Sequence, residues 1–138
     1  MKKENALIAT FMGGIKGDVY IGDIKQRPQF WDIMDSKSPL AGHRYCDETL
    51  RYNKEWNWLM PVIRKINDIG KDTQFAIFKT YVSCTVEKHS KFHKGFSFSH
   101  AEYITPEQTD IQAAFKLVVK FVSWYNTTIA AKDLEKSN

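Results

Sequence analysis

Cysteine is scarce in this chain of 138 residues: Cys46 and Cys84 are the whole complement, and they form no C-x-x-C pair. That excludes a disulfide-stapled scaffold and the paired-cysteine zinc modules. The ordinary state of two such residues is a pair of reduced thiols packed as small hydrophobes, with a bridge only if the fold brings them together. Long apolar runs are missing too. Mean hydropathy is −0.44, and nothing approaches the roughly 18–20 consecutive apolar residues of a membrane span. The early apolar stretch, Ala6 to Met12, stops at Gly13-Gly14 and is too short for a secretory signal core. The expectation is a cytoplasmic protein with no membrane partner.

Arginine is also rare. Arg27, Arg44, Arg51 and Arg64 stand among twenty cationic residues, against sixteen acidic ones. Base-edge readout and bidentate phosphate binding lean on arginine, so a dedicated duplex-DNA binder is not indicated. A net charge of +4 and a pI near 9.0 favour anionic partners mildly. An ordinary lysine-coated surface explains the same numbers. The catalytic signatures are absent as well: there is no H-E-x-x-H, no G-x-x-x-x-G-K-[ST] loop and no G-x-S-x-G elbow.

What remains is a folded, aromatic-rich domain. The chain is 43% hydrophobic and 14% aromatic, enough to bury a core without staples, and disorder is excluded. One domain over 1–138 is expected, with a polar tail at 130–138. Residues Asn5 to Met12 place Leu7, Ile8, Phe11 and Met12 on one helical face, with Gly13 as the residue after the helix. Residues 18–21 read as a short strand. Residues 22–44 hold Pro28, Pro39 and Gly42 and read as a long loop, plugged onto the core by Phe30, Trp31, Ile33 and Met34. Residues 45–51 read as a short extended piece.

The run Tyr52 to Gly70 is the clearest element. Leu59, Val62, Ile63, Ile66 and Ile69 recur at helical spacing, Asn53 is the expected N-cap and Gly70 the stop. Pro61 lies inside the pattern, which predicts a kink or two pieces and a stranded carbonyl at Asn57. From Thr73 to His100 the period changes to two. That predicts two or three antiparallel strands with a hairpin turn at Lys88 to Gly95, and the mixture of Phe75 and Phe78 predicts a strand covered on both faces. Thr105-Pro106-Glu107-Gln108 then reads as a capping box opening a helix to about Tyr125 or Asn126. Its apolar face, widened by Leu117, Val119 and Trp124, predicts either cover from two layers or self-association. The fold class is α+β: a small antiparallel sheet packed against two main helices plus a short N-terminal helix.

The segments Leu7 to Gly14 (L-I-A-T-F-M-G-G), Tyr52 to Ile66 (Y-N-K-E-W-N-W-L-M-P-V-I-R-K-I) and Ala113 to Asn126 (A-A-F-K-L-V-V-K-F-V-S-W-Y-N) occur in that order. Together they resemble a family of small proteins from phages and prophages of Bacteroidetes that carry a Y-x3-W-x-W-L-M-P-V motif. The likeness covers roughly a third of the chain. Asn57 stands where the family pattern has an acidic residue, and the hairpin region has no counterpart. The resemblance implies a phage or mobile-element origin and no specific activity.

Several chemistries can be weighed on the residues. A metal site would gather Cys84, His89, His93 and His100, with His43-x-x-Cys46 as a further pair. The spacing of His89 and His93 suits zinc only on a helix, where a hairpin is expected. A Cys–His nucleophile has no surrounding signature. A nuclease would need convergence of Asp18, Asp23, Asp32, Asp35, Asp47 and Glu48 on a metal; acids scattered through a loop are ordinarily solvated. Gly13, Gly14, Lys16 and Gly17 could form an anion-holding turn. No metal, cofactor or catalytic residue is assigned.

The most suggestive feature is Lys88-His89-Ser90-Lys91-Phe92-His93-Lys94. Lysines and histidines at a hairpin tip can hold phosphates while Phe92 stacks on a base. Lysines at strand ends also block edge aggregation, which is the plainer explanation. The expected function is a non-enzymatic, phage-encoded anti-defence factor, a sponge that sequesters an anionic nucleotide signal in the host cytoplasm, as a homo-oligomer. Lys88, Lys91, Phe92, His93 and Lys94 would carry the contact, with Arg51 and Arg44 in support. Two alternatives stand beside it. One is a protein-directed inhibitor of a host defence enzyme, using an exposed aromatic patch drawn from Trp31, Trp56 and Tyr52. The other is a nucleic-acid-binding accessory protein using the basic hairpin.

Overall fold

The computed structural model describes residues 2–13, 15–21, 24–32, 44–46, 50–70, 73–87 and 97–130. The order is α1 (Lys2–Phe11), β1 (Ile15–Ile21), β2 (Ile24–Asp32), β3 (Arg44–Cys46), α2 (Trp56–Asp68), β4 (Thr73–Ile77), β5 (Tyr81–Val86), β6 (Phe98–Tyr103) and α3 (Asp110–Trp124). A π-helical extension, Tyr125–Ala130, follows α3. Two antiparallel sheets form, β1-β2-β3 and β4-β5-β6. The fold is therefore α+β. The chain resolves into two compact units, Met1–Val62 and Ile63–Asn138, and α2 runs across the division.

In the first unit, α1 ends as its sequence dictates. Gly13 takes φ +76° and its N–H bonds the Thr10 carbonyl, the left-handed closure that glycine allows. The loop expected over 22–44 is corrected in part: Ile24–Asp32 is the central strand of the first sheet, and Phe30 and Trp31 sit within it, opposite Cys46 and Tyr45. Proline is normally excluded from a central strand. Here the pairing jumps from Gly17↔Phe30 to Val19↔Gln26, so Asp18 alone opposes Arg27, Pro28 and Gln29, and Pro28 falls in that irregularity. Ile33 and Met34 lie outside the described residues.

The helix expected from Asn53 starts later, at Trp56. Arg51 to Glu55 form a turn, with the Lys54 and Glu55 N–H groups both on the Arg51 carbonyl. Asn53 does not cap; its Oδ1 accepts from Asn5 Nδ2 at 3.0 Å and ties α1 to this turn. Tyr52 is buried and meets the Trp58 ring edge-on at 5.1 Å. Pro61 is inside the helix, which continues through it. Asn57, whose carbonyl loses its donor there, is exposed, so solvent is at hand for it.

In the second unit, β4 and β5 lie where the alternation placed them, and β6 runs past His100 to Tyr103. Thr73, Phe75, Val82, Cys84, Val86 and Phe98 are buried on one face, the face that α3 covers: Phe98 and Phe121 meet edge-on at 5.6 Å, and Lys120 bonds Glu102. The expectation of a strand covered on both faces is wrong for β4. Gln74 is exposed, Ala76 half-buried, and Phe78 lies beyond the strand end at 47% exposure. The wide face of α3 is used up inside the chain: Ala113, Ala114, Phe115, Leu117, Val118, Phe121 and Val122 are all buried.

The helix start is displaced by one motif. The sequence repeats T-x-x-Q, at Thr105–Gln108 and again at Thr109–Gln112. The second copy is the capping box: Thr109 Oγ1 accepts from Gln112 N, and Gln112 Oε1 accepts from Thr109 N. The first copy cannot close. The Gln108 amide donates instead to the Tyr103 carbonyl at 2.8 Å, and Thr105 N–H donates to the Gln108 carbonyl. Thr105 Oγ1 still accepts from Glu107 N and Gln108 N, which holds a separate turn.

Candidate binding surface

Most of the sequence-predicted site cannot be placed. Lys88, Lys91, Phe92, His93 and Lys94 lie outside the described residues, as do His43 and His89. Their position in the chain is informative nonetheless: they fall between Val86 and Phe98, which are directly paired on neighbouring strands. Arg44 opens β3, opposite Asp32. Arg51 is exposed, its Nε 3.9 Å from the Glu55 carboxylate. The anion-holding turn is corrected. Gly13 closes α1, whereas Lys16 and Gly17 are strand residues paired with Trp31 and Phe30.

Of the candidate chemical groups, Cys84 and His100 are cross-strand neighbours, while His89 and His93 lie outside the described residues. Cys84 is a buried free thiol, and burial pushes its pKa up to about 12. A thiol so held is a packing residue rather than a nucleophile. His100 is exposed and its ring lies 4.6 Å from that of Phe98. Among the described residues, no three His, Cys, Asp or Glu side chains gather to hold a metal ion. Among them also, no helix is long and apolar enough to cross a membrane.

Of the aromatic candidates for a protein-directed patch, Tyr52 is buried and Trp56 half-buried, while Trp31 lies in β2. The exposed aromatic patch is elsewhere. Phe78, Tyr81 and Tyr103 form a row across one end of the second sheet, Tyr81 from β5, Tyr103 from β6 and Phe78 from just past the end of β4. The register sets this up. Tyr81 pairs with Tyr103, and Phe78 N–H donates to the Tyr81 carbonyl at 2.8 Å, so all three side chains project from the face opposite α3. Phe78 stacks on Tyr81 at 4.7 Å and Tyr81 meets Tyr103 at 6.2 Å. Phe78 is 47% exposed and Tyr103 66%.

Among the described residues, the strand positions of this outer face are uncharged, and Lys79 stands exposed in the turn between Phe78 and Tyr81. The face presents Gln74 and Ala76 from β4, Ser83 and Thr85 from β5, and Ser99 and Ala101 from β6, each exposed or half-buried. On the other face, Glu102 accepts from Lys120 and Gln108. Partial burial pushes the Glu102 carboxyl up, but those hydrogen bonds and the charges of Lys120 and Lys116 outweigh it and hold it below its ordinary value.

The sequence signal for this row was present but misread. Phe78 does lie on the face opposite Phe75, as the alternation has it, but that face is open rather than covered, and Tyr103 lies beyond His100, where the expected strands end. No protein-family model, no curated protein and no solved structure matches the chain.

Proposed function

We propose that this chain is a non-enzymatic binding protein that docks on a protein partner through the aromatic end of the β4-β5-β6 sheet. The observation that carries the reading is the Phe78–Tyr81–Tyr103 row, with Phe78 and Tyr103 open to solvent. Rings of this kind, rigid and apolar with a polar tip, are the residues that dominate protein interfaces. A nucleic-acid strand would need several cations tracking its backbone beside the stacking rings; among the described residues this face supplies Gln, Ala, Ser and Thr, with Lys79 in the adjoining turn. With the phage-family resemblance, the partner would be a host protein, and the chain an inhibitor of it.

A second reading keeps the anionic nucleotide as ligand, held by Lys88, Lys91, Phe92, His93 and Lys94. It is favoured by the concentration of cations in the one segment that joins β5 to β6. Two variants separate the readings. Capture from a Bacteroidetes host lysate is compared between wild type, Phe78→Ser/Tyr103→Ser and Lys91→Glu/Lys94→Glu. Protein docking predicts a partner retained by wild type and the lysine variant and lost by the aromatic variant. A partner retained by the aromatic variant refutes it. A nucleotide-induced rise in melting temperature that the lysine variant abolishes would favour the second reading.

A further inference from the structure

The two edges of the second sheet are treated differently. At the β4 edge, Phe75 turns its backbone outward, and the Asn67 side chain satisfies both groups: Asn67 Oδ1 accepts from Phe75 N at 2.7 Å, and Asn67 Nδ2 donates to the Phe75 carbonyl at 3.4 Å. An amide there stands in for a neighbouring strand and blocks one. The β6 edge is plugged only at its end, where the Gln108 side chain takes one lone pair of the Tyr103 carbonyl. Ile104 N–H bonds the Thr80 carbonyl, so Phe98, His100 and Glu102 bond β5 and the alternate residues Ser99, Ala101 and Tyr103 point their N–H and C=O groups away from it. Among these groups the structure gives a partner to the Tyr103 carbonyl, which accepts from Gln108 Nε2. Ser99, Ala101 and Tyr103 are all exposed, and no described strand pairs with this side. The strand F-S-H-A-E-Y carries none of the lysine, proline or bulge devices that ordinarily guard an edge.

We propose that the β6 edge pairs with β6 of a second copy of this chain, antiparallel about a two-fold axis at Ala101, to give a continuous six-stranded sheet. The register follows from the residues. Outward-pointing residues must face outward-pointing residues, which limits the axis to a few positions. An axis at His100 sets His100 against itself and Phe98 against Glu102. An axis at Glu102 sets two carboxylates face to face. An axis at Ala101 sets His100 against the second copy's Glu102, an imidazole against a carboxylate, twice over. It also sets Phe98 against Ile104, apolar against apolar, and puts the small Ala101 pair on the axis itself. Of these three axes, only that one sets an imidazole against the carboxylate and apolar against apolar. The outer faces of both copies then join into one surface carrying two aromatic rows. This pairing is independent of what docks on that surface.

Sedimentation velocity over a micromolar-to-millimolar series tests it. Wild type should pass reversibly from monomer to dimer. Ala101→Glu and Ala101→Lys should each be monomeric, because each sets like charges across the axis, with circular dichroism showing both folded. An equimolar mixture of the two should recover the dimer. A wild type that stays monomeric throughout overturns the proposal, as does an Ala101→Glu that dimerises like wild type. Two monomeric variants that fail to associate with each other overturn the Ala101 axis. Ala101→Pro is the second probe of the edge: it removes only an outward N–H, so it should fold and remain monomeric.

Discussion

Cys84 shows how a single side chain can be chemically named and functionally silent. Its place on β5 between Val82 and Val86 was legible from the alternation, and so was its burial. Burial then decides its chemistry: a thiol pushed up to about 12 is almost wholly protonated at neutral pH. In a Cys46→Ser background, Cys84 should react with iodoacetamide only as fast as the protein unfolds, and fast labelling under native conditions would contradict its burial. Glu102 works the other way. Its carboxyl is held below the ordinary range in the folded state, so its contribution is present above the unfolded carboxylate pKa and is lost as pH falls through the folded value. Lys120→Met removes the main donor. It should raise the Glu102 titration midpoint in carboxyl-resolved NMR and flatten the acid limb of stability. An unmoved midpoint would show that the pair does not govern it. The Glu102 shift could not be read from sequence, because the Lys120–Glu102 meeting depends on how α3 lies across β6.

Elements were legible where periodicity and capping spoke together, and illegible where two signals competed. The helices and the strands of the second sheet followed from spacing. The start of α3 did not, because T-x-x-Q occurs twice and tertiary demand on Gln108 chose between the copies. Thr109→Ala should therefore destabilise the protein by about 1 kcal/mol, and Thr105→Ala by less, read from urea midpoints. The reverse order would place the cap at the first copy. β2 was missed because Pro28 reads as a breaker, and an irregularity in pairing is invisible in a linear pattern. The role of Asn67 was missed for a similar reason: an asparagine near a helix end looks like punctuation. Asn67→Ala leaves the Phe75 backbone groups without those bonds, which should cost about 1–2 kcal/mol. It should also make the β4 edge competent for strand pairing, seen as new association in sedimentation. Unchanged stability would show that water replaces the amide without loss.

For the molecule as a whole, the α+β class came from sequence, but the surface did not. The basic stretch Lys88–Lys94 drew the eye because charge is visible in a string of letters. The aromatic row is a product of register: Tyr81 and Tyr103 lie on β5 and β6, Phe78 follows β4, and they meet only when those strands pair. Docking through that row is tested most directly by placing a photo-crosslinking phenylalanine analogue at position 78 or 103, and at position 116 on α3 as a control, in host cells. A single heterologous adduct from positions 78 and 103, of a mass distinct from the self-dimer, and none from 116, is the expected result. Adducts from 116 alone, or none heavier than the self-dimer from 78 and 103, would contradict it.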